Sequence, residues 1–256
     1  MKTVDKITAV QLMNQLGAGK VPFLFVLDYE MEQCIVMPVD EVDHNELRFE
    51  ILGNGNFPLK NSTNQLYNLD FQPIDFEQYN EKFGKLAAHI QRGDTYLANL
   101  TIKTPVTLNA SPEEIAIHSK APYKLWIRDK IAVFSPESFV KISDGKISSF
   151  PMKGTIDATI PDAEMLLLRN EKELAEHYTI VDLIRNDLSI VAHDVRVEKF
   201  RYVEKLRTHK GELLQTSSKI SGKLPEGFRM KLGHLWQNYC LPVPSAVRQR
   251  RKPSKF

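Results

Sequence analysis

Residues 171–191, EKELAEHYTIVDLIRNDLSIV, combine a helical repeat of apolar residues with a start signal for a helix. Asn170 followed three positions later by Glu173 is an order of residues that typically opens a helix, because each side chain can satisfy a free backbone N–H. The apolar residues of the segment recur on one stripe, at Leu174, Tyr178, Val181 and Leu188. We therefore predict a long helix through this segment.

The sequence on either side of this helix predicts mostly strands. Apolar runs rich in β-branched and aromatic residues predict strands over residues 22–30, 33–39, 94–106, 123–128, 131–135, 138–142, 146–150, 195–200, 201–206 and 212–220. Asp144-Gly145 is a two-residue hairpin signal. Two further helices are predicted, one from Phe76 to Gly93 and a short one after the capping residue Ser111. This order predicts an α+β fold with antiparallel sheets and no clear domain boundary.

Composition excludes several classes of protein. The chain of 256 residues has no apolar run long enough to cross a bilayer, and charges interrupt its N-terminus, so we expect a cytoplasmic protein with no membrane partner. Cys34 and Cys240 are far apart and lack metal-binding spacing, which indicates two reduced thiols. No P-loop, GxGxxG, GxSxG or HExxH motif is present.

Two carboxylates of the long helix could hold a metal ion. Glu173 and Glu176 are three positions apart, so they project from one face about a turn apart, as an oxygen-preferring cation requires. The alternative is that acidic residues in a first turn only complement the helix dipole. His177 is expected to pack or to form a hydrogen bond, because Mg²⁺ prefers oxygen ligands.

Glu137 and Lys153 each allow two interpretations. Glu137 lies between two apolar strands, where partial burial would raise its pKa and make it a proton donor, but a turn-capping carboxylate is equally compatible. Burial of Lys153 would favour the neutral, nucleophilic amine, whereas exposure would leave it a spectator. From these residues alone, an exposed lysine is the expectation.

Four motifs in this chain resemble those of the chorismate-utilising enzymes, which include anthranilate, aminodeoxychorismate, isochorismate and salicylate synthases. They are GDTYLANLT (93–101), SPESFV (135–140), FPMKGT (150–155) and KELAEHYTIVDLIRNDL (172–188). The resemblance covers about residues 70–233 and implies the layered α+β fold of that family. In the family the residue before Gly-Thr separates activities: anthranilate synthases carry alanine, and aminodeoxychorismate synthase component I carries lysine, as this chain does at Lys153.

The resemblance also implies roles for individual residues. Lys153 would add to C2 of chorismate, and Glu137 would act as the general acid that protonates the departing 4-hydroxyl. Gly154 and Thr155 would line the substrate site. Gln215 stands where many relatives have histidine, so a histidine contact to the substrate ring is not expected.

The same resemblance implies a cofactor and partners. Glu176 would hold Mg²⁺, with Glu173 bound to the ion directly or through water. Ammonia would come from a separate glutamine amidotransferase subunit, since no such domain is visible in this sequence. The expected product is 4-amino-4-deoxychorismate, a precursor of para-aminobenzoate and folate.

The last residues of the chain depart from the family. The final nine, 248–256, hold five basic and no acidic side chains, while the other 29 basic residues are outnumbered by 32 acidic ones. A nucleic-acid-binding arm is one explanation. Read one base out of frame, however, the codons of residues 242–249 can spell Ala-Gly-Ser-Ile-Cys-Gly-Ala-Pro, which matches a segment that the family carries further along.

We therefore predict a frameshift between about residues 233 and 241. Residues 1–233 would form an incomplete chorismate-binding domain, and 234–256 would be an out-of-frame tail with no nucleic-acid partner. The chain would lack further metal-binding glutamates and would show little or no catalysis. The alternatives are a non-catalytic remnant or binding module of the family and, less favoured because of Lys153, an anthranilate synthase.

Overall fold

The computed structural model describes residues 2–58, 67–95, 98–135, 137–208 and 211–240. The described helices are α1 (Lys6–Ala18), α2 (Phe76–Gln91), α3 (Pro112–His118), α4 (Ala163–Arg169), α5 (Glu171–Val191) and α6 (Leu232–Cys240). In these parts of the chain, no helix has both the length and the hydropathy needed to cross a membrane.

The described strands pair antiparallel wherever their register is defined. They are β1 (Phe23–Val26), β2 (Ile35–Pro38), β3 (Leu47–Ile51), β4 (Asn54–Gly55), β5 (Leu69–Phe71), β6 (Val106–Leu108), β7 (Tyr123–Ile127), β8 (Ile131–Ser135), β9 (Lys141–Ser143), β10 (Lys146–Ser149), β11 (Met152–Asp157), β12 (His193–Thr208) and β13 (Gly211–Lys223). Helices with antiparallel sheets confirm the predicted α+β class.

The chain divides into two compact units, although its sequence shows no linker composition. The larger unit comprises residues 1–48 and 135–256, and the smaller unit comprises residues 49–134. The chain crosses from one unit to the other within β3 and within β8. Because both crossings are strands rather than polar loops, the sequence carries none of the Gly-, Pro- or Ser-rich stretches that usually mark a boundary.

The larger unit is built on β13. One side of β13 pairs with β12 along its length, and the other side pairs first with β11 and then with β10. β9 and β10 form a hairpin through Asp144 and Gly145, which both have positive φ, 52° and 72°. Such a turn matches the right-handed twist of the flanking strands, as the Asp-Gly signal predicts.

Helix α5 packs on this sheet through Val181 and Leu188 of its predicted apolar stripe, whereas Tyr178 of that stripe is 57% exposed. Ile147, Leu188 and Ile220 have no solvent exposure, and Val181 is also buried in the same cluster. Burying one such side chain contributes about 1.5–3 kcal/mol relative to leaving it in water. This packing fixes α5 on the sheet, with the first turns of the helix near β11.

A second core of the larger unit lies under α1. Ala9, Met13, Met31 and Cys34 are buried there beside the β1–β2 hairpin. Helix α6 joins both cores: Leu235 belongs to the α5 cluster, and Trp236 packs on both clusters. The Gly233 backbone approaches the Val10 carbonyl so closely that a side chain there would collide with it.

Among the described residues, the smaller unit contains the sheet β4-β3-β7-β8, the antiparallel pair of β5 and β6, and the helices α2 and α3. The Ser111 side chain and Glu114 form a complete capping box at the start of α3, as predicted. Helix α2 begins at Phe76, also as predicted, but none of its residues is buried. Lys124 of β7 is buried, which is unusual for a lysine.

Two predictions of local structure need correction. Residues 98–105 have no strand, and only β6 follows, so the predicted strand over 94–106 is wrong there; residues 96–97 lie outside the described residues. The two strands predicted over 195–206 are one strand, β12, with an irregular register near Lys199 and Tyr202. The frameshift prediction concerns a tail that lies outside the described residues from 241 onward, and it stays a prediction.

Candidate active site

Strand β11 carries Lys153 towards α5. Lys153 pairs with Thr216 of β13, and the Thr216 hydroxyl donates a hydrogen bond to the Lys153 carbonyl oxygen. The register between β11 and β13 shifts after Lys153, at Gly154, whose φ is +81°. A glycine adopts this left-handed conformation without the steric cost that a Cβ atom would bring.

The first turns of α5 carry the two glutamates. The Asn170 side chain accepts a hydrogen bond from the Glu173 backbone N–H at 3.0 Å, so Asn170 caps the helix as predicted. Glu176 follows about one turn later. The carboxylate of Glu173 lies beside Gly154, because a Cβ atom built on this glycine would be 3.3 Å from Glu173 Oε2.

Lys153 and Glu176 form a close ion pair across these two elements. Lys153 Nζ lies 2.6 Å from Glu176 Oε2, and the two side chains are 38% and 39% exposed. Lys172 Nζ lies farther from the same carboxylate, at 3.9 Å from Oε1, and is 80% exposed. Lys153 therefore belongs to the glutamate site and remains open to solvent.

The ion pair favours the charged forms of both groups. The hydrogen bond to Glu176 raises the pKa of Lys153 above its ordinary value, and partial desolvation opposes this only in part. The same hydrogen bond lowers the pKa of Glu176. Of the two alternatives for Lys153, the structure thus has neither a buried neutral amine nor an isolated surface residue, but a half-exposed ammonium held against a carboxylate.

The partial burial considered for Glu137 is not observed. Glu137 is exposed, its backbone N–H donates to Ser135 Oγ at 3.0 Å, and that hydroxyl donates to the Glu137 carbonyl oxygen. This turn orients the backbone rather than the carboxylate. The sequence could not reveal the exposure, because apolar neighbours on both sides of a turn do not require the turn itself to be buried.

Thr155 and Gln215 are cross-strand partners. They face each other in the register of β11 and β13, where Thr155 is exposed and Gln215 is partly buried. Side chains of directly opposed residues lie on the same face of a sheet. The position that carries glutamine in this chain is thus adjacent to the Gly-Thr pair after Lys153.

The carboxylates at the start of α5 are of the ligand type that a magnesium ion prefers. The two lie one turn apart, and Mg²⁺ commonly uses one or two carboxylates and completes its shell with water. Within the described ranges, no group of three or more His, Cys, Asp or Glu side chains could hold a metal ion. Glu173 and Glu176 would therefore supply only part of a shell.

His177, next to Glu176, is a packed histidine, as expected. It has no solvent exposure, and its Nε2 shares a 2.6 Å hydrogen bond with Ser218 Oγ of β13. Burial and the nearby Arg201 cation lower its pKa. No local pattern distinguishes Arg201 in the sequence, because its neighbours on β12 are those of an ordinary strand.

Comparison with known proteins finds one family and several relatives. A family model described as chorismate binding enzyme matches residues 18–245. A Haemophilus influenzae protein that bears the name uncharacterized PabA-like protein is 44% identical over 226 residues, which are 88% of this chain and 69% of that protein. Aminodeoxychorismate synthase component 1 of Klebsiella aerogenes is 34% identical over 142 residues, 50% of this chain and 32% of that one.

A solved structure is similar in fold. The menaquinone-specific isochorismate synthase of Escherichia coli superposes with a TM-score of 0.57 at 12% identity, over 97% of this chain and 67% of that one. At this identity the likeness concerns the fold alone. It confirms the layered arrangement of helices and antiparallel sheets that the sequence motifs imply.

Proposed function

This chain belongs to the family of chorismate binding enzymes, and we propose that it has the chemistry of aminodeoxychorismate synthase component I. The substrates would be chorismate and ammonia, and the product 4-amino-4-deoxychorismate. The observation that carries this proposal is the position of Lys153, whose Nζ lies 2.6 Å from Glu176 beside a Gly-Thr pair. The similarity to the Klebsiella enzyme over half of the chain also supports it.

The proposed reaction begins when Lys153 loses a proton to solvent, which reaches its half-exposed side chain. The amine lone pair then forms a bond to C2 of chorismate, both double bonds of the ring diene shift by one position, and the C4–O bond breaks. The hydroxyl must leave as water, since hydroxide is a poor leaving group at neutral pH, and the SPESFV motif alone assigns its proton to Glu137, whose side chain is exposed in the structure.

Ammonia completes the exchange. It forms a bond to C4, both ring double bonds shift back, and the C2–N bond to Lys153 breaks, so the lysine amine is regenerated. The proton released by the new C4 ammonium returns to Glu137. Because Lys153 occupies C2 while ammonia arrives, attack at C2, which would lead to the anthranilate-type product, is blocked.

A metal ion, a glycine and a partner protein would complete the proposed substrate site. Glu173 and Glu176 would hold Mg²⁺, which supplies positive charge for the substrate carboxylates. Gly154 permits close approach of its backbone to the site, as its lack of a side chain beside Glu173 indicates. A separate glutamine amidotransferase subunit would supply the ammonia.

Product analysis tests this function. The longest protein that the gene encodes in frame, incubated with chorismate, ammonium and Mg²⁺, is expected to form 4-amino-4-deoxychorismate. Formation of anthranilate would contradict the proposal, and chorismate binding without any product would favour a non-catalytic member of the family. Product identity is determined by chromatography and mass spectrometry.

We also propose that the reading frame changes between about residues 233 and 241. The one-base-shifted reading of residues 242–249 supports this. Sequencing codons 230–256 and about a hundred codons beyond tests this. A one-base insertion or deletion followed by a Gly-Ala-Pro-Lys segment is expected, and a frame-restored protein should be about 100-fold or more faster than the 256-residue chain.

A further inference from the structure

Helices α4 and α5 meet with a single residue, Asn170, between them. Asn170 is the C-cap of α4 and also the N-cap of α5, where its side chain accepts from Glu173 N–H. Its backbone is extended, with φ −68° and ψ 106°, as an N-cap requires. A helix usually satisfies its last carbonyls by a turn into the left-handed conformation, and this shared residue cannot adopt it.

The side chain of Arg201 takes the place of that missing cap. Its guanidinium nitrogens donate to the carbonyl oxygens of Leu168 at 2.5 Å, Leu167 at 2.8 Å and Asn170 at 3.4 Å. Arg201 is only 9% exposed. The cation also faces the negative end of the α4 dipole, where positive charge is favourable.

The backbone of Arg201 is tied to the other end of the site. Its φ is +47°, in the irregular part of β12, and its N–H donates to Ser218 Oγ at 2.8 Å. The same hydroxyl shares the 2.6 Å hydrogen bond with His177, the neighbour of Glu176. Ser218 also contacts the strand that carries Lys153, because its backbone N–H donates to the Pro151 carbonyl just before β11.

We propose that Arg201 is the positioning residue of this site. It fixes the α4–α5 turn, and with it Glu173 and Glu176, against the strand that carries Lys153. A left-handed backbone at a non-glycine residue is costly, and it persists here because the guanidinium and the N–H are both used. Arg201 touches no substrate atom in this assignment and acts only through the helix junction.

Hydrogen exchange gives a readout that does not depend on a bound metal. In Arg201→Lys the charge remains, but a lysine cannot reach three carbonyls in a fixed fork. Amides of residues 167–176 are therefore expected to lose protection. Arg201→Met should enlarge the loss, and Arg196→Lys, an exposed arginine of the same strand, should leave exchange unchanged.

Metal binding gives the second readout and rests on the proposed function. With Mn²⁺ as the probe, followed by electron paramagnetic resonance, Arg201→Lys is expected to weaken binding about tenfold or more, as partners that orient metal ligands typically do. Leu188→Ala is the control for general destabilisation, because Leu188 is fully buried at the far end of α5. It should lower Tm while leaving the Mn²⁺ affinity at the wild-type value.

The outcomes separate the inference from the proposed function. Wild-type exchange of residues 167–176 in Arg201→Lys would overturn the inference. So would equal changes of exchange and Mn²⁺ affinity in Arg201→Lys and Leu188→Ala, because Arg201 would then be a general stabilising residue. A wild-type protein that does not bind Mn²⁺ would contradict the metal part of the proposed function, and the exchange of residues 167–176 would then decide the inference alone.

Discussion

Each unit of the molecule contains a close lysine–glutamate pair, and the two pairs differ in their access to solvent. In the larger unit, Lys153 and Glu176 are 2.6 Å apart and more than a third exposed. In the smaller unit, Lys124 Nζ is 2.8 Å from Glu50 Oε2, and the lysine side chain has no exposure. In these two pairs the same residue types thus differ in one respect: solvent reaches Lys153 and does not reach Lys124.

The buried pair is held by charge rather than by an aligned hydrogen bond. Among the described residues, Lys124 Nζ has no hydrogen bond of good geometry, although it lies 2.8 Å from the carboxylate and 4.2 Å from the centre of the Phe57 ring. Attraction to the carboxylate and to the aromatic face offsets part of the cost of burying the ammonium. This pair can serve only the fold of its unit.

The largest effect on activity is expected from Lys153→Ala. Loss of the proposed nucleophile should reduce the proposed amination of chorismate by about 10⁴-fold or more. The free energy of unfolding should change by less than about 1 kcal/mol, because exposed pairs contribute little. Lys205→Ala, which breaks the exposed 2.9 Å pair with Glu212, is the matched control and should retain activity. Activity of the Lys153→Ala protein would contradict the proposed chemical role of the exposed pair.

The largest effect on stability is expected from Lys124→Met. Removal of the cation leaves Glu50 without its partner and should lower the free energy of unfolding by about 3 kcal/mol, measured by urea denaturation. The double variant Lys124→Met/Glu50→Leu should recover most of this loss, since an apolar pair has no charge to desolvate. A single variant as stable as the wild type would show that burial of this pair has no energetic consequence.

Gly154→Ala should have a smaller effect, and one confined to the site. The φ of +81° costs an alanine about 1–2 kcal/mol, and its Cβ would lie 3.2 Å from Leu167 Cδ1 and 3.3 Å from Glu173 Oε2. Gly145→Ala has a similar φ, +72°, with nothing within 4 Å. Both variants should lose stability in thermal melts, but only Gly154→Ala should lose metal affinity. Equal metal affinities would mean that Glu173 does not depend on the glycine.

The smallest effect is expected on the free energy of unfolding at acid pH. It depends on another ion pair, in which Lys219 Nζ lies 2.6 Å from Glu198 Oε2. Hydrogen bonds from Lys219 and Ser221 lower the pKa of Glu198 from 4.5 to about 2. A lowered pKa in the folded state stabilises the protein above pH 4.5, and this contribution is lost as the pH falls from 4.5 towards 2. Glu198→Gln should flatten the pH dependence of unfolding in that interval. An unchanged dependence would contradict the assigned role of the pair.

Features encoded within a few residues could be predicted from the sequence. The Asn170 cap, the capping box of Ser111 and the Asp144-Gly145 hairpin each depend on neighbours within one turn, and all three are present. The spacing of Glu173 and Glu176 likewise follows from helix geometry alone. Local hydrogen bonds and periodicity are sufficient for such predictions.

Features that depend on how distant segments meet could not be predicted. The Lys153–Glu176 contact requires the register of β11 on β13 and the docking of α5 on that sheet, and neither is visible in a local pattern. Arg201 was missed because its use depends on a helix junction 31 to 34 residues earlier in the chain. The sequence left the burial of Glu137 open for the same reason, since burial of a turn depends on what covers it.

Covalent trapping tests most directly whether Lys153 Nζ forms a bond to chorismate. The longest in-frame product of the gene is incubated with chorismate and Mg²⁺ without ammonia, digested, and analysed by peptide mass spectrometry. We expect the peptide that contains Lys153 to gain the mass of chorismate less one water, and we expect added ammonium to remove this mass. Turnover to 4-amino-4-deoxychorismate by a protein whose Lys153 stays unmodified, or by Lys153→Ala, would contradict it.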